Sequence, residues 1–321
     1  MRRDIPPLDE VRRITQKKRD AWWTVLLVDP VATPLVRLTA MRTRITPNQI
    51  TWGAFLLGLG SAAFFALGDW QWLIAGAVVY HLSFILDCMD GKVARLTGTG
   101  SVFGAWLDFV FDRIRVMACA VALMWGQYDR TGESLYIWAA VAVVGLDTLR
   151  YINSLEIFKI RHSMRKQIKV RLKAARRAEN QAELAFMEDL LRDNPEADVE
   201  QDLQKARSEA GIPEAPEAAP VAKPQVIDLH QEFRHKFPAY LRARSFLLRH
   251  RIRTHLVSGI EFQMGVFMIG PLFDVVLPAT IVSGALLLVF ELAIIYKLLL
   301  STRDFTRTID SFEERKVVAA A

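Results

Sequence analysis

An all-α membrane protein is predicted by three observations. Hydrophobic residues make up 52% of the 321-residue chain while charged residues still reach 24%, so the two kinds must be segregated along it. The apolar residues gather in blocks at 50–68, 71–89, 102–125, 135–153, 257–276 and 279–299. Each block is about long enough to cross a hydrocarbon core of ~30 Å as a helix. The basic residues keep to alternate connections: Arg2 to Arg19, Arg42 and Arg44, Arg95, Lys159 to Arg177, Arg242 to Arg253, Lys297 and Arg303. The connections at 68–71 and 126–134 hold Arg130 alone. Six transmembrane helices follow, with both termini and the basic connections on the cytoplasmic side. The net charge of +6 next to a membrane would also attract anionic lipid.

This pattern divides the chain into five parts. Residues 1–45 are a basic arm and an interfacial segment, and 46–154 hold the first four spans. Residues 155–245 form a charged cytoplasmic helical insert with a Pro/Ala-rich linker, 246–302 hold spans five and six, and 303–321 are a cytoplasmic tail. The arm, 1–19, reads as loose. In 20–43, Trp22, Trp23, Leu26, Leu27, Val36 and Leu38 are mixed with Arg37 and Arg42, and Pro30 and Pro34 interrupt the run. An amphipathic segment lying in the interface is therefore expected there. Thr46-Pro47-Asn48-Gln49 opens the first span: Thr46 is a good N-cap, Pro47 suits the first helical turn, and Gln49 can close a capping box. Its free N–H groups would also suit a phosphate. Ser101 reads as the N-cap of the third span. In the fourth span Asp147 is an intramembrane acid and so a functional-site candidate, or else simply the partner of Arg150 three residues on. Glu261 and Glu291 are further acids in apolar surroundings. His250, Arg251, Arg253 and His255 read as headgroup anchors.

Beyond 155, Lys159 to Arg177 and Glu179 to Arg207 carry charges at helical spacing, as a solvated helix or hairpin does. Gly211 to Pro224 is a Pro- and Ala-rich linker. Basic and aromatic residues alternate from Phe233 to Phe246; attached to membrane spans, they suit lipid headgroups, and no nucleic-acid partner is expected. Cys88 and Cys119 both sit in apolar helices and imply no disulfide framework. The N-terminus lacks the apolar core and cleavage site of a signal peptide, so the first span is expected to serve as the insertion signal.

The chemistry concentrates in Asp87–Asp112. Asp87 and Asp90 are three apart, Asp108 and Asp112 four apart, so on helices each pair shares one face. Gly98 and Gly100 break the run between them and let the two helices fold back on each other. Facing carboxylates in an apolar setting repel unless cations sit among them, and hard oxygen donors suit Mg²⁺, Mn²⁺ or Ca²⁺. Gly91, Ala94 and Gly104 on or beside the same faces leave room for a ligand near the backbone. The pattern Asp87-x2-Asp90-Gly91-x2-Ala94-Arg95-x8-Gly104-x3-Asp108-x3-Asp112 resembles, without departure in spacing, the signature of the CDP-alcohol phosphotransferases, integral-membrane enzymes of phospholipid synthesis.

That resemblance implies a transferase that moves a substituted phosphate from a CDP-linked donor to an alcohol acceptor and releases CMP. It implies Asp87, Asp90, Asp108 and Asp112 as ligands of Mg²⁺ or Mn²⁺, two ions, with Asp112 also taking the hydroxyl proton of the acceptor. It implies nucleotide contacts from Thr46, Pro47, Asn48, Gln49, Gly91, Ala94, Arg95, Ser101 and Gly104, and a homodimer among membrane lipids. CDP-diacylglycerol is the expected donor and the bacterial plasma membrane the expected location. A CDP-choline or CDP-ethanolamine enzyme is the alternative. Relatives that use inositol phosphate tend to carry Lys and Arg at the end of the fourth span, where this chain has Asn153 and Leu155. From a different class, a cation or proton-coupled transporter would also need intramembrane acids. Cation uptake by vesicles without CMP production would distinguish it.

Overall fold

The computed structural model describes residues 5–193 and 238–320. The expected linker at 211–224 lies outside the described residues. Among the described residues there is no strand, only one isolated parallel bridge between Asp20 and Ile252. In chain order the helices are α1 (Leu8–Thr15), α2 (Thr24–Arg42, opening on a π turn over Thr24–Val28), α3 (Pro47–Ala66), α4 (Trp70–Thr97), α5 (Val102–Thr131), α6 (Leu135–Asp193) and α7 (Pro238–Arg249). Next comes α8, made of Gly259–Met264, a π turn over Gly265–Ile269, and Gly270–Leu272; α9 is Val276–Ala320.

The chain divides into two units. One comprises Met1–Ser154 and Phe237–Tyr296, the other Leu155–Lys236 and Lys297–Ala321. Within the first, α3 lies along both α4 and α5, α1 and α2 pack on α4, and the π turn of α8 packs on α4 as well. Phe65, Leu73, Tyr80, Leu123, Phe262 and Phe267 are fully buried between these helices. The second unit holds the described part of α6 from Leu155 on, with the basic run that begins at Lys159.

Five helices are long and apolar enough to cross a membrane: Thr24–Arg42, Pro47–Ala66, Trp70–Thr97, Leu135–Ala174 and Val276–Ser311. Two expected spans are not among them. Helix α5 carries Asp108, Asp112, Arg113 and Arg115 in its first half, and α8 is short and interrupted by its π turn. Conversely, 24–42 is a continuous helix rather than a broken interfacial stretch. Pro30 sits in the first turn of its α-helical part, where a missing N–H costs little, and Pro34 removes one internal hydrogen bond without ending the helix. Nor are the described residues of the arm, from Ile5 on, loose. Helix α1 buries Val11 and Thr15, four apart on one face, and Arg37 Nε donates to Pro6 O at 3.2 Å.

One end of the first unit gathers three turns. Gln127 Nε2 donates to Gly68 O at 2.8 Å, Trp70 Nε1 donates to Leu272 O at 3.2 Å, and Arg130 pairs with Asp274 at 2.6 Å. Because α3, α4 and α5 run back and forth, the start of α3, the end of α4 and the start of α5 come together at the opposite end.

Candidate active site

At that opposite end the caps form as the sequence predicts. Thr46 N donates to Gln49 Oε1 at 2.9 Å and Gln49 N to Thr46 Oγ1 at 3.4 Å, a capping box that starts α3. Ser101 Oγ accepts from Gly104 N at 2.9 Å and starts α5. Helix α4 ends on Gly98 in the left-handed region, φ 66°, which a residue with a Cβ rarely adopts. The two helix starts touch: a Cβ at Gly104 would lie 2.7 Å from Asn48 Oδ1. A side chain at 104 would therefore displace the Asn48 amide from its place against α5.

All four motif acids line one half-open cavity of about 330 Å³. Gly91 and Arg95 line it too, as do Lys17, Asp20, Lys92, Arg113, Arg150, Tyr151, Arg253 and Gln263. Thr46, Pro47, Asn48, Gln49, Ala94, Ser101 and Gly104 stand outside that lining, in the adjoining caps and helix turns. One link joins the two groups: Thr51 Oγ1 donates to Asp90 Oδ2 at 2.6 Å, tying the first turns of α3 to the acid on α4.

The acids do not close on one point. No group of three carboxylate, imidazole or thiol side chains among the described residues stands at a geometry that would hold a metal ion. Instead Arg115 lies between two of them, bonding Asp112 Oδ1 through Nη2 and reaching Asp87 Oδ1 at 3.3 Å and Ser83 Oγ at 3.2 Å through Nη1. Arg115 is buried, its guanidinium 5.9 Å from the Tyr80 ring centre. The space for it comes from Gly58 on α3, where a Cβ would fall 2.4 Å from Arg115 Cδ. Among the described residues no hydrogen bond or ion pair holds Asp108.

Several polar residues pair otherwise than the sequence suggests. Asp147 does not pair with Arg150. Its Oδ2 takes Arg113 Nη1 from α5, and its Oδ1 accepts from Gln263 Nε2 at 2.9 Å. Arg150 lies 3.9 Å from Glu291, which also accepts from Asn153 Nδ2 at 2.6 Å. The side chain of Arg150 runs over Gly259, where a Cβ would meet its Nη1 at 2.3 Å. Glu261 caps α8 by accepting from Ser258 N at 3.0 Å and Ser258 Oγ at 2.6 Å. Arg251 and Arg253 turn inward rather than toward headgroups. Arg251 donates to Gln16 Oε1 at 2.7 Å and pairs with Asp29 at 3.1 Å, and Arg253 pairs with Asp20 at 3.1 Å. Asp29 also takes Lys92 at 2.5 Å. Arg113, Arg115, Lys17 and Gln263 carry no motif that marks them in the sequence. The only signal was charge in an apolar block, which applies to Arg113 and Arg115 alone.

Residues 44–176 match the sequence model of the family described as CDP-alcohol phosphatidyltransferase. The chain is 33% identical over 132 residues to a phosphatidylinositol phosphate synthase of Corynebacterium glutamicum, covering 40% of this chain and 57% of that protein. It is 31% identical over 121 residues to a phosphatidylinositol phosphate synthase of Mycolicibacterium smegmatis, covering 37% and 53%. It is 42% identical over 110 residues to a bifunctional IPC transferase and DIPP synthase of Aquifex aeolicus, covering 34% and 24%. The similarity thus spans about half the length of the two synthases and a quarter of the bifunctional protein. The acid spacing, the cavity that gathers all four acids and the match over 44–176 assign this segment of the chain to the CDP-alcohol phosphatidyltransferase family.

Proposed function

We propose that this protein transfers a substituted phosphate, phosphatidyl from CDP-diacylglycerol, to the hydroxyl of an alcohol and releases CMP. The reaction would take place at the cytoplasmic face of a bacterial plasma membrane crossed by six spans. The observation that carries this reading is the cavity itself: four carboxylates at the family spacing, with exposed Lys17 and Arg95 lining the same space.

The charge inventory supports divalent cations. Of the four motif acids, Asp87 and Asp112 are ion-paired to Arg113 or Arg115, while Asp90 and Asp108 have no ion pair among the described residues. Carboxylates without an ion pair in a half-buried site are unfavourable unless cations answer them. Hard carboxylate oxygens fit Mg²⁺ or Mn²⁺, and Asp87, Asp90, Asp108 and Asp112 would hold them. When bound, the ions would offset charge on the diphosphate and on the leaving phosphate.

The chain's own residues do the rest. Lys17 and Arg95 bind phosphate oxygens of the donor by charge-assisted hydrogen bonds. The α3 start, fixed by its capping box and the Asn48–Gly104 contact, frames the nucleotide. Asp112 takes the proton of the attacking hydroxyl as the oxygen approaches the phosphorus distal to cytidine. Most of the acceleration then comes from positioning and electrostatic stabilisation.

The acceptor we propose is a phosphorylated polyol of the inositol phosphate class. The names of the two synthases support it, and so does Arg150, a guanidinium lining the cavity above Gly259. Asn153, engaged with Glu291, favours the second reading, an acceptor without a phosphate. Radiolabelled CDP-diacylglycerol, offered with inositol phosphate, inositol, glycerol phosphate or serine to purified protein, separates the two. Product with inositol phosphate alone supports the first; product with inositol or serine supports the second. CMP release persisting at the wild-type rate in both Asp108→Asn and Asp112→Asn would exclude the roles given to these acids.

A further inference from the structure

The acid proposed to take the proton is held on both oxygens. Asp112 Oδ1 takes Arg115, and Asp112 Oδ2 accepts from Arg113 Nη2 at 2.8 Å. The second guanidinium is itself held. Arg113 Nη1 bonds Asp147 Oδ2 on α6, Asp147 Oδ1 accepts from Gln263 Nε2 at 2.9 Å on α8, and Tyr80 Oη on α4 donates to Gln263 Oε1 at 3.3 Å. Tyr80 in turn lies beneath Arg115. The contacts therefore close a ring: Asp112, Arg113, Asp147, Gln263, Tyr80, Arg115 and back to Asp112. The ring joins α4, α5, α6 and α8. Asp147 is 3% exposed and stands outside the cavity lining, so it is not placed to touch a substrate directly, whereas Gln263 reaches the cavity. A carboxylate so deeply buried is tolerated only with its charge answered and its oxygens hydrogen-bonded. Both conditions hold for Asp147.

We propose that Asp147 is a positioning residue for the transfer reaction: by clamping Arg113 from α6, with Gln263 fixing its other oxygen, it sets the direction in which Asp112 presents its carboxylate to the acceptor hydroxyl. Arg113 uses both terminal amino groups, Nη1 on Asp147 and Nη2 on Asp112. With one amino group tied to α6, the other can meet Asp112 in only one orientation, because the guanidinium is planar. Removing the tie frees the guanidinium to follow Asp112, and the carboxylate loses its fixed direction. A misplacement of about 1 Å at a reacting group costs on the order of 10²-fold in rate. This rests on the proposed transferase reading, in which Asp112 takes the hydroxyl proton.

The test uses full-length protein in detergent, CDP-diacylglycerol and inositol phosphate, with CMP release followed and CMP affinity measured separately by equilibrium binding. Asp147→Asn keeps size and hydrogen bonding but drops the charge that holds Arg113. We expect kcat to fall about 10- to 100-fold, with KM for the donor and the affinity for CMP within about twofold of wild type. Adding Asp147→Asn to Asp112→Asn should cost nothing further, because residues acting as one unit are not additive. Asp147→Glu, which restores the charge, should recover part of the rate. Arg130→Ala, at the far end of the unit, serves as the control and should leave kcat unchanged. Wild-type kcat in Asp147→Asn, or a further multiplicative loss on top of Asp112→Asn, would overturn the proposal. Should Asp147→Asn fail to fold, Gln263→Met decides by the same two criteria. If the wild-type protein releases no CMP with any acceptor while still binding CMP, the transferase reading fails, and the positioning role falls with it for that separate reason.

Discussion

At Gly58 one methyl group decides where Arg115 can lie. A Cβ there would meet the Cδ and Cγ of Arg115 at 2.4 and 2.5 Å, with Ser83 Oγ at 3.2 Å on the other side. Because the stem of Arg115 is fully buried, it has little freedom to move away. Gly58→Ala should therefore push the guanidinium off Asp87 and Asp112. Overpacking of this kind costs about 1–3 kcal/mol, visible as a lower midpoint in a thermal melt in detergent, and CMP release should fall by more than that stability loss explains. An unchanged melt and rate would show that Arg115 finds an equivalent position. Asp108 has no such partner to lose. Asp108→Asn removes one of the carboxylate charges left for cations, and CMP release should drop at least about 10²-fold with the melting temperature unchanged or raised, since it relieves repulsion among the acids. At this scale the sequence was informative about the acids and silent about what answers them. The motif spacing identifies Asp87, Asp90, Asp108 and Asp112 because neighbours on one helix face are read directly from residue number. Arg113 with Asp147, and Arg115 with Asp87, are contacts between helices. A single sequence holds no register between helices, so Arg150, three residues from Asp147, was the partner that local spacing offered.

The elements around the site were legible where their ends carry local chemistry. The capping box at Thr46–Gln49 and the Ser101 cap form from side chains within three residues of the groups they satisfy, and the Gly98 stop comes from that residue's own left-handed backbone. Thr46→Ala should cost about 0.5–2 kcal/mol and, by loosening the α3 start that frames the nucleotide, raise KM for the donor more than it lowers kcat. Equal KM in the variant would separate the cap from the nucleotide site. Helix α2 was less legible, because Pro30 and Pro34 signal interruption and only the first-turn placement of Pro30 makes the helix tolerable. Helix α1 was missed for a related reason. Its basic composition suggests solvation, yet Val11 and Thr15 give it a buried edge, and Arg251 ties the following residues down from the far side of the insert by donating to Lys17 O at 3.0 Å.

For the whole first unit, the two ends have opposite characters. The acids, Lys17 and Arg95 lie at one end, while Gly68, Arg130 and Asp274 meet at the other. If the basic connections face the cytoplasm, a cysteine at Glu133 should react with an impermeant maleimide in intact cells, and one at Lys18 only after permeabilisation. Both would be placed in a Cys88→Ala, Cys119→Ala background. The reverse pattern would invert the orientation. The Arg130–Asp274 pair is partly exposed, at 29% and 37%, so it should contribute only about 0–1 kcal/mol and marks the end away from the acids without holding the unit together. The apolar blocks and their lengths were legible because hydropathy accumulates along a stretch. The π turn in α8 was not, because it arises from local backbone geometry.

The most direct measurement is metal-dependent CMP release by the purified protein from radiolabelled CDP-diacylglycerol. Activity should disappear in EDTA, return with added Mg²⁺ or Mn²⁺ in step with a phospholipid product, and stay absent in Asp108→Asn. Release that survives the chelator, or that Asp108→Asn supports at the wild-type rate, would contradict a cation-filled cavity built from the four acids.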